Sequence, residues 1–497
     1  MKATLWLIAL ATLLRLVFAG YTGLGIDESY MVAAAHTFDA SYFDHPLASW
    51  WLELTARALT GSAAPLVVRL PFVIMAALTS WLLFVITARL YDERAGFWAV
   101  VAYSVSPVFS MASGCWVLPD GPVDLALTAF MLAVLRAPGL IGGKPRPMFW
   151  LAAGLFAGLA MLSKYNAALV IAGVGLGLLL TPQLRGEFRR PQLWLGVLLS
   201  LVLAAPVLWW NANHGWVSLH YQGGRVAGLH LRPYMPLYVW AGEALFVLPW
   251  LWLPMIWAQI RALRAGPAQA APWLLAWAGL IPVLLFAAIS IWSSTHILFH
   301  WAAPGELMLF PLLGAWARGI SPGLRAGVAS ASGALLAGAM LFITAEVQFA
   351  FLPHLDMLSK PGKSPLLQII DWTSIGAQIP PGIDAIAAQR WYDAGKVGYA
   401  LALDHIDIPV TVFAGGPHQF AFSAPPASFI GKNVLVLSMP WSMEQTASFC
   451  ASSFQSFTPG PVLTVTFHNS VLLAIPTYIG HDMRAVPTPT KSAASNA

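Results

Sequence analysis

The chain has 497 residues, a mean hydropathy of +0.70, 58% hydrophobic and only 9% charged side chains, which excludes an ordinary soluble domain. Its two cysteines, Cys115 and Cys450, cannot build a disulfide framework and show no zinc-ligand spacing. The formal net charge of +5 reflects loop lysines and arginines, as membrane topology requires, and gives no reason to expect nucleic acid as a partner.

In chain order, apolar runs predict eleven membrane spans near 3–20, 65–88, 95–113, 119–136, 148–163, 166–182, 192–210, 236–260, 272–292, 298–317 and 324–346. No small-residue cleavage site follows the first run, so it is expected to remain as a span rather than act as a removed signal peptide. Loop charge sets the expected orientation. With a cytoplasmic N-terminus, that side carries Arg89, Arg94, Arg136, Lys144, Arg146, Arg185, Arg189, Arg190, Arg261, Arg264, Arg318 and Arg325. The loops on the opposite side hold few, Arg57, Arg69, Lys164, Arg225 and Arg232, a consistent positive-inside bias.

The first outward loop, 21–64, is unusual. It carries the acidic cluster Gly25-Ile26-Asp27-Glu28-Ser29-Tyr30 and then Tyr42-Phe43-Asp44-His45-Pro46. Ionisable groups near a bilayer are costly and are kept for chemistry or transport. Residues 29–37 and 46–59 read as amphipathic interfacial helices, the second with Trp50, Trp51, Leu54 and Leu59. The expected architecture is an all-α polytopic membrane domain over 1–348, then a small soluble α/β domain over 349–484 on the outer side. A Pro/Thr/Ser/Ala-rich disordered tail is expected over 485–497. Strands of that α/β domain are predicted at 384–388, 410–413, 433–437 and 461–467.

Polar residues gather at the outer helix ends. Asp27 and Glu28 follow the first span, and Asp120 and Asp124 open the fourth. Lys164 and Tyr165 occupy a tight outer turn, Arg225 and Arg232 follow the seventh span, and His296 and His300 lie near the start of the tenth. Carboxylates and cations on one side suit a reaction that needs a base and an anion-binding group. Glycosyl transfer from a lipid-linked phosphosugar meets that description: a carboxylate takes the acceptor's hydroxyl proton, and Lys and Arg neutralise the departing phosphate. No Gly-rich nucleotide loop is present. A polyprenyl-lipid or sugar transporter or flippase is the alternative, but it should show internal repeats and mid-membrane ionisable groups. Arg15 is the nearest approach to the latter. His296, His300 and Glu306 are candidates for a divalent metal site, which is not the favoured reading. His214, in Asn213-His214-Gly215-Trp216, reads as structural.

Six segments fall in one order: Asp27-Glu28-Ser29-Tyr30, Tyr42-Phe43-Asp44-His45-Pro46-Leu47, Val68-Arg69-Leu70-Pro71, Leu118-Pro119-Asp120, Leu162-Ser163-Lys164-Tyr165 and Trp210-Asn211-Ala212-Asn213-His214-Gly215-Trp216. Over roughly 1–350 the chain resembles the bacterial branch of the dolichyl-phosphate-mannose protein mannosyltransferase superfamily, which includes the lipid A aminoarabinose transferases and has the GT-C fold. Arg390-Trp391-Tyr392-Asp393 resembles the start of that family's outer domain. The resemblance implies a polyprenyl-phosphate-sugar donor, an envelope lipid, glycan or protein acceptor, and a bacterial inner membrane with a periplasmic active site and C-terminal domain. It implies Asp27 as catalytic base, with Glu28 completing the acidic pair, and Asp120 as a second acid near the sugar. Tyr30, Asp44, His45, Lys164 and Tyr165 fall in the matching segments as substrate-binding candidates, with Lys164 near the donor phosphate. Arg225 and Arg232 join them as phosphate contacts on charge and side alone. His45 stands where the aminoarabinose transferases often have lysine, which puts aminoarabinose itself in doubt as the sugar.

Overall fold

In the computed structural model, the described residues are 1–228, 230–293, 295, 297–352, 364–414, 416–440, 443–468 and 470–487. They form two compact units. The first comprises Met1–Val17, Asp39–Ser49 and Leu70–Met340; the second comprises Phe18–Phe38, Trp50–Arg69 and Leu341–Ala497. Most of the expected tail, 488–497, lies outside the described residues.

The helices are α1 (Lys2–Tyr21), α2 (Ile26–Ala34), α3 (Ala48–Thr60), α4 (Pro65–Leu90), α5 (Glu93–Val105), α6 (Asp120–Arg136), α7 (Phe149–Met161) and α8 (Ala167–Leu179). They continue with α9 (Pro191–Asn213), α10 (Val217–Gly224), α11 (Met235–Val247), α12 (Pro249–Ala265), α13 (Ala270–Ile289), α14 (Ala303–Leu307), α15 (Phe310–Ala317) and α16 (Pro322–Phe349). Among the described residues, α1, α4, α9, α13 and α16 are each long and apolar enough to cross a membrane alone. Two further helix pairs qualify only together: α11 with α12, bent by 113°, and α8 with the 3₁₀ turn Pro182–Arg189, bent by 107°. The other expected spans fall on shorter or broken helices.

Prolines follow two of the breaks. A residue before proline is pushed out of helical geometry toward extended backbone, as at Ser106 (φ −80°, ψ 119°) before Pro107. Leu248, before Pro249, is also non-helical but has a positive φ (φ 89°, ψ 125°) that proline alone does not impose. Each break frees backbone groups that hydrocarbon cannot satisfy. Here one break serves the other, since Ser106 Oγ donates to the Val247 carbonyl at 3.0 Å. Elsewhere small residues bring backbones together: a Cβ on Gly154 of α7 would collide with Gly196 of α9, and the reverse addition would strike the Trp150 carbonyl.

The second unit contains a five-stranded sheet and a hairpin. The strands are β1 (Ala385–Ala388), β2 (Val410–Val412), β3 (Val434–Leu437), β4 (Phe454–Pro459), β5 (Leu463–Phe467), β6 (Ser470–Ile475) and β7 (Thr477–Met483). The sheet order is β2-β1-β3-β7-β4, with β1 parallel to β2 and β3, and β7 antiparallel to β3 and β4. β5 and β6 pair as the hairpin. The four expected strands are present, and β4, β6 and β7 add to them. A short α17 (Leu366–Ile369) precedes β1, and α18 (Trp391–Leu403) forms the crossover from β1 to β2. Ala385, Ala387, Val434, Val436, Phe413 and Phe454 share the core beneath the sheet. The first interfacial helix begins earlier than the sequence predicts, at Ile26 instead of 29, so Asp27 and Glu28 lie in its first turn.

Candidate active site

In the second unit, the start of α2 fixes the acidic pair. Gly25 is the N-cap, and Glu28 at the third helical position accepts its N–H at 2.9 Å, the acidic half of a capping box. Carboxylates in this turn also meet the positive end of the helix dipole. Neighbours along a helix point about 100° apart, and here they part company: Asp27 is exposed and Glu28 is 2% exposed. Glu28 is occupied by Arg69, whose Nε and Nη2 meet Oε1 and Oε2 at 2.8 and 2.6 Å. The rest of that guanidinium donates to the Ala19, Thr22 and Gly23 carbonyls and to Thr22 Oγ1. Arg69 is thus a bidentate fork that also ties down the turn before α2.

Tyr30, expected near substrate, is buried. Its ring meets the edges of Trp50, Trp391, His418 and Phe420 at centroid distances of 5.0–5.9 Å, and its hydroxyl accepts the Gln419 N–H at 2.8 Å. At the far end of α2, Arg57 donates to the Ala35 carbonyl at 2.8 Å.

In the first unit, Lys164 and Asp120 meet. Lys164 Nζ lies 2.8 Å from Asp120 Oδ1, with the side chains 8% and 4% exposed. Asp120 opens α6, and Lys164 sits in the turn after α7, its own N–H bonding back to the Ala160 carbonyl. His45 and His300 lie within electrostatic range of this pair, Arg225 acts on both histidines, and Asp44 acts on His45. Burial, the largest influence, pushes the His45 imidazole down to about 4, with Asp44 and Asp120 pulling it up and Lys164 and Arg225 adding to the depression. At neutral pH His45 is therefore an uncharged group, able to donate or accept. Its loop is tied down: Ser218 Oγ donates to the Tyr42 carbonyl at 3.2 Å and Gln222 Nε2 to the Asp44 carbonyl at 2.8 Å, both from α10.

Arg225 stacks over Tyr221 and Trp301, 4.4 and 5.5 Å from their ring centres, and donates to the Tyr221 hydroxyl at 2.5 Å. The Tyr165 hydroxyl and His45 Nδ1 are buried without a hydrogen-bond partner among the described residues, polar atoms available to a ligand. Asp124, one turn beyond Asp120, is 1% exposed and feels the Asp120 charge. Arg232 goes elsewhere, donating to the Ser293 carbonyl, and no described interaction joins it to the Lys164 group. His214 stacks on Trp210 at 4.0 Å and bonds the Trp210 carbonyl, a helix-end arrangement. Of the metal candidates, His296 lies outside the described residues, and Glu306 accepts the Trp252 indole N–H at 2.7 Å.

Arg69, Asp371 and Lys396 are not among the site residues expected from the sequence. Arg69 gives one signal there, a basic residue on the side with few, inside one of the six ordered segments.

Residues 44–210 match the family model described as dolichyl-phosphate-mannose-protein mannosyltransferase, a stretch that includes Asp44, His45, Asp120 and Lys164. The match covers that stretch alone. The chain is similar to the lipid A galacturonosyltransferase RgtD of Rhizobium johnstonii, 27% identical over 55% of this chain and 57% of that protein. It is also similar to the undecaprenyl phosphate-alpha-4-amino-4-deoxy-L-arabinose arabinosyl transferase of Pectobacterium carotovorum, 24% identical over 58% of this chain and 52% of the relative. The chain thus matches little more than half the length of these curated relatives. Its fold is that of ArnT from Cupriavidus metallidurans, a GT-C structure: TM-score 0.65 and 14% identity, covering 99% of this chain and 100% of the apo ArnT chain. The undecaprenyl phosphate-bound form of the same protein gives the same TM-score at 15% identity, over 97% of this chain and 98% of that one.

Proposed function

We propose that this chain is an integral-membrane glycosyltransferase of the mannosyltransferase superfamily that moves a sugar from a polyprenyl-phosphate donor to an envelope lipid or glycan. A lipid A-type acceptor is ranked first and protein last. The observation that carries the reading is the buried Lys164–Asp120 pair with Arg225, His45 and His300 around it. A lysine inside an apolar helical unit needs a compensating anion. Asp120 supplies one, and a donor phosphate fits a cluster that holds Lys164, Arg225 and two histidines.

In this reaction the acceptor hydroxyl loses its proton to Asp27 as its oxygen bonds to the sugar's anomeric carbon. The bond from that carbon to the phosphate oxygen breaks, and its electron pair leaves with the polyprenyl phosphate. The phosphodiester thereby becomes a monoester with one more negative charge, and stabilising that charge is where fixed cations act most strongly. Lys164 and Arg225 are assigned to it. Attack opposite the leaving group inverts the anomeric centre. Asp27 is assigned on its place in the family segment, and its exposure in the first turn of α2 suits a group that meets an incoming acceptor. Glu28, held by Arg69, is assigned to shaping that turn. His45, neutral and half-buried where relatives often carry lysine, supports a sugar other than aminoarabinose. No cofactor is assigned, and a divalent metal is not the favoured reading. The reading places the protein in a bacterial inner membrane, with this chemistry and the C-terminal domain on the periplasmic side. The expected domain limits, 1–348, 349–484 and 485–497, are kept as part of the proposal.

The test is a transfer assay with purified protein, radiolabelled polyprenyl-phosphate-linked galacturonate, aminoarabinose and hexose donors, and extracted envelope lipids. Label appearing in an acceptor lipid supports the reading and names the acceptor. Silence with every donor, beside a working relative as control, overturns it in favour of lipid or sugar transport.

A further inference from the structure

The turn that leads into α2 is bonded at every backbone position. In residues 22–25 each N–H and each C=O has a partner. The Thr22 N–H goes to Phe18, and the Thr22 and Gly23 carbonyls accept from Arg69. The Gly23 N–H donates to the Ile369 carbonyl at 2.9 Å, and the Leu24 N–H to Asp371 Oδ1 at 2.9 Å. The Leu24 carbonyl accepts from Lys396 Nζ, the Gly25 N–H donates to Glu28, and the Gly25 carbonyl accepts the Ser29 N–H. Three of these partners, Ile369, Asp371 and Lys396, come from the C-terminal part of the same unit.

Lys396 is built for this place. It is 2% exposed, on α18, and its ammonium also donates to the Gln368 and Ile370 carbonyls at 3.1 and 3.0 Å, so its three protons meet three carbonyls. Asp371 supplies the nearby opposite charge. The flanking glycines let α18 lie against α2: a Cβ on Gly395 would stand 2.7 Å from Tyr30 Cα, and one on Gly398 would stand 2.9 Å from Ala33 Cβ. Gly23 is equally confined, since a Cβ there would stand 2.6 Å from Asp371 Oδ1. A solvent-facing attachment domain needs neither a buried lysine nor a carboxylate aimed at another segment's backbone, because each costs desolvation unless fully bonded.

We propose that Lys396 and Asp371 are positioning residues that hold the 22–25 turn and thereby aim Asp27, so that the C-terminal domain is part of the catalytic machinery. This rests on Asp27 being the base of the transfer reaction. Small misplacements of a reacting group are costly, so loosening the turn acts on turnover more than on donor binding.

The test uses full-length protein with Lys396→Met, which keeps the stem and removes the donors, Lys396→Arg, which restores them, and Asp371→Asn. The measurements are kcat and donor KM with the labelled donors above, thermal unfolding, and hydrogen exchange of the peptide 22–28. Lys396→Met is expected to lower kcat by roughly 10- to 100-fold with donor KM within about threefold. Exchange in 22–28 should quicken, and Lys396→Arg should recover part of both. Wild-type kcat and exchange in a folded Lys396→Met protein overturn the proposal. So does a raised KM with unchanged kcat, the mark of a residue that binds substrate. If Lys396→Met does not fold, Asp371→Asn decides the matter on the same readouts. If wild type transfers nothing, the enzyme reading fails by itself; the clamp is then judged by exchange, and unchanged exchange overturns it.

Discussion

Lys164 Nζ and Asp120 Oδ1 stand 2.8 Å apart with both side chains less than a tenth exposed. Removing one partner of such a pair leaves an uncompensated buried charge, which costs about 3–5 kcal/mol. Lys164→Ala and Asp120→Ala should each lower the unfolding temperature in detergent. The double replacement Lys164→Met with Asp120→Leu should recover most of that stability and none of the activity. A double variant as unstable as the singles would show that the pair's main contribution is structural.

Arg69 and Glu28 form the second buried pair, and geometry matters more there. The guanidinium meets both carboxylate oxygens and also donates to three backbone carbonyls. A lysine has the charge without the fork. Arg69→Lys is therefore expected to destabilise nearly as much as Arg69→Met, by about 3–5 kcal/mol. Full rescue by lysine in a thermal-unfolding series would contradict this account of the turn.

Acid should find His45. Its pKa lies near 4 in the folded protein, below the ordinary value of 6.5. Between those values the unfolded chain binds a proton that the folded one refuses, so this residue's contribution to stability is present above about pH 6.5 and is lost as pH falls toward 4. His45→Gln should flatten that part of the stability-versus-pH curve. An unchanged slope would mean that the imidazole is more solvated than its surroundings imply.

Tyr30 separates packing from substrate contact. Tyr30→Ala should cost about 3–5 kcal/mol by emptying the space among Trp50, Trp391, His418 and Phe420. Tyr30→Phe should cost about 1 kcal/mol for the Gln419 hydrogen bond and leave donor KM unchanged. A large KM effect of Tyr30→Phe with unaltered stability would return the residue to the substrate-binding set.

How much of this was legible in the sequence depends on distance along the chain. Long apolar runs marked α1, α4, α9, α13 and α16, and β-rich runs marked β1, β2, β3 and β5. The 236–260 run looked continuous because composition says nothing about the break at Leu248; Pro206 and Pro254 sit inside helices that continue. β4 and β7 carry polar-interrupted sequences that resemble loops until they pair, and β6, though apolar after Ser470, is short and half exposed. The acidic pair was visible, but its division into an exposed Asp27 and a buried Glu28 needed Arg69, 41 positions away. Lys396 is 372 positions from the carbonyl it holds, and no local pattern can reveal a contact of that range.

The most direct measurement compares wild type with Asp27→Asn, determining donor affinity by equilibrium binding and transfer by single turnover. The two side chains are nearly isosteric, so donor affinity should stay within about threefold while the rate falls by about 10²–10⁴-fold, the usual contribution of a positioned base. Transfer by Asp27→Asn at the wild-type rate would contradict the central claim and send the search for the base to another carboxylate.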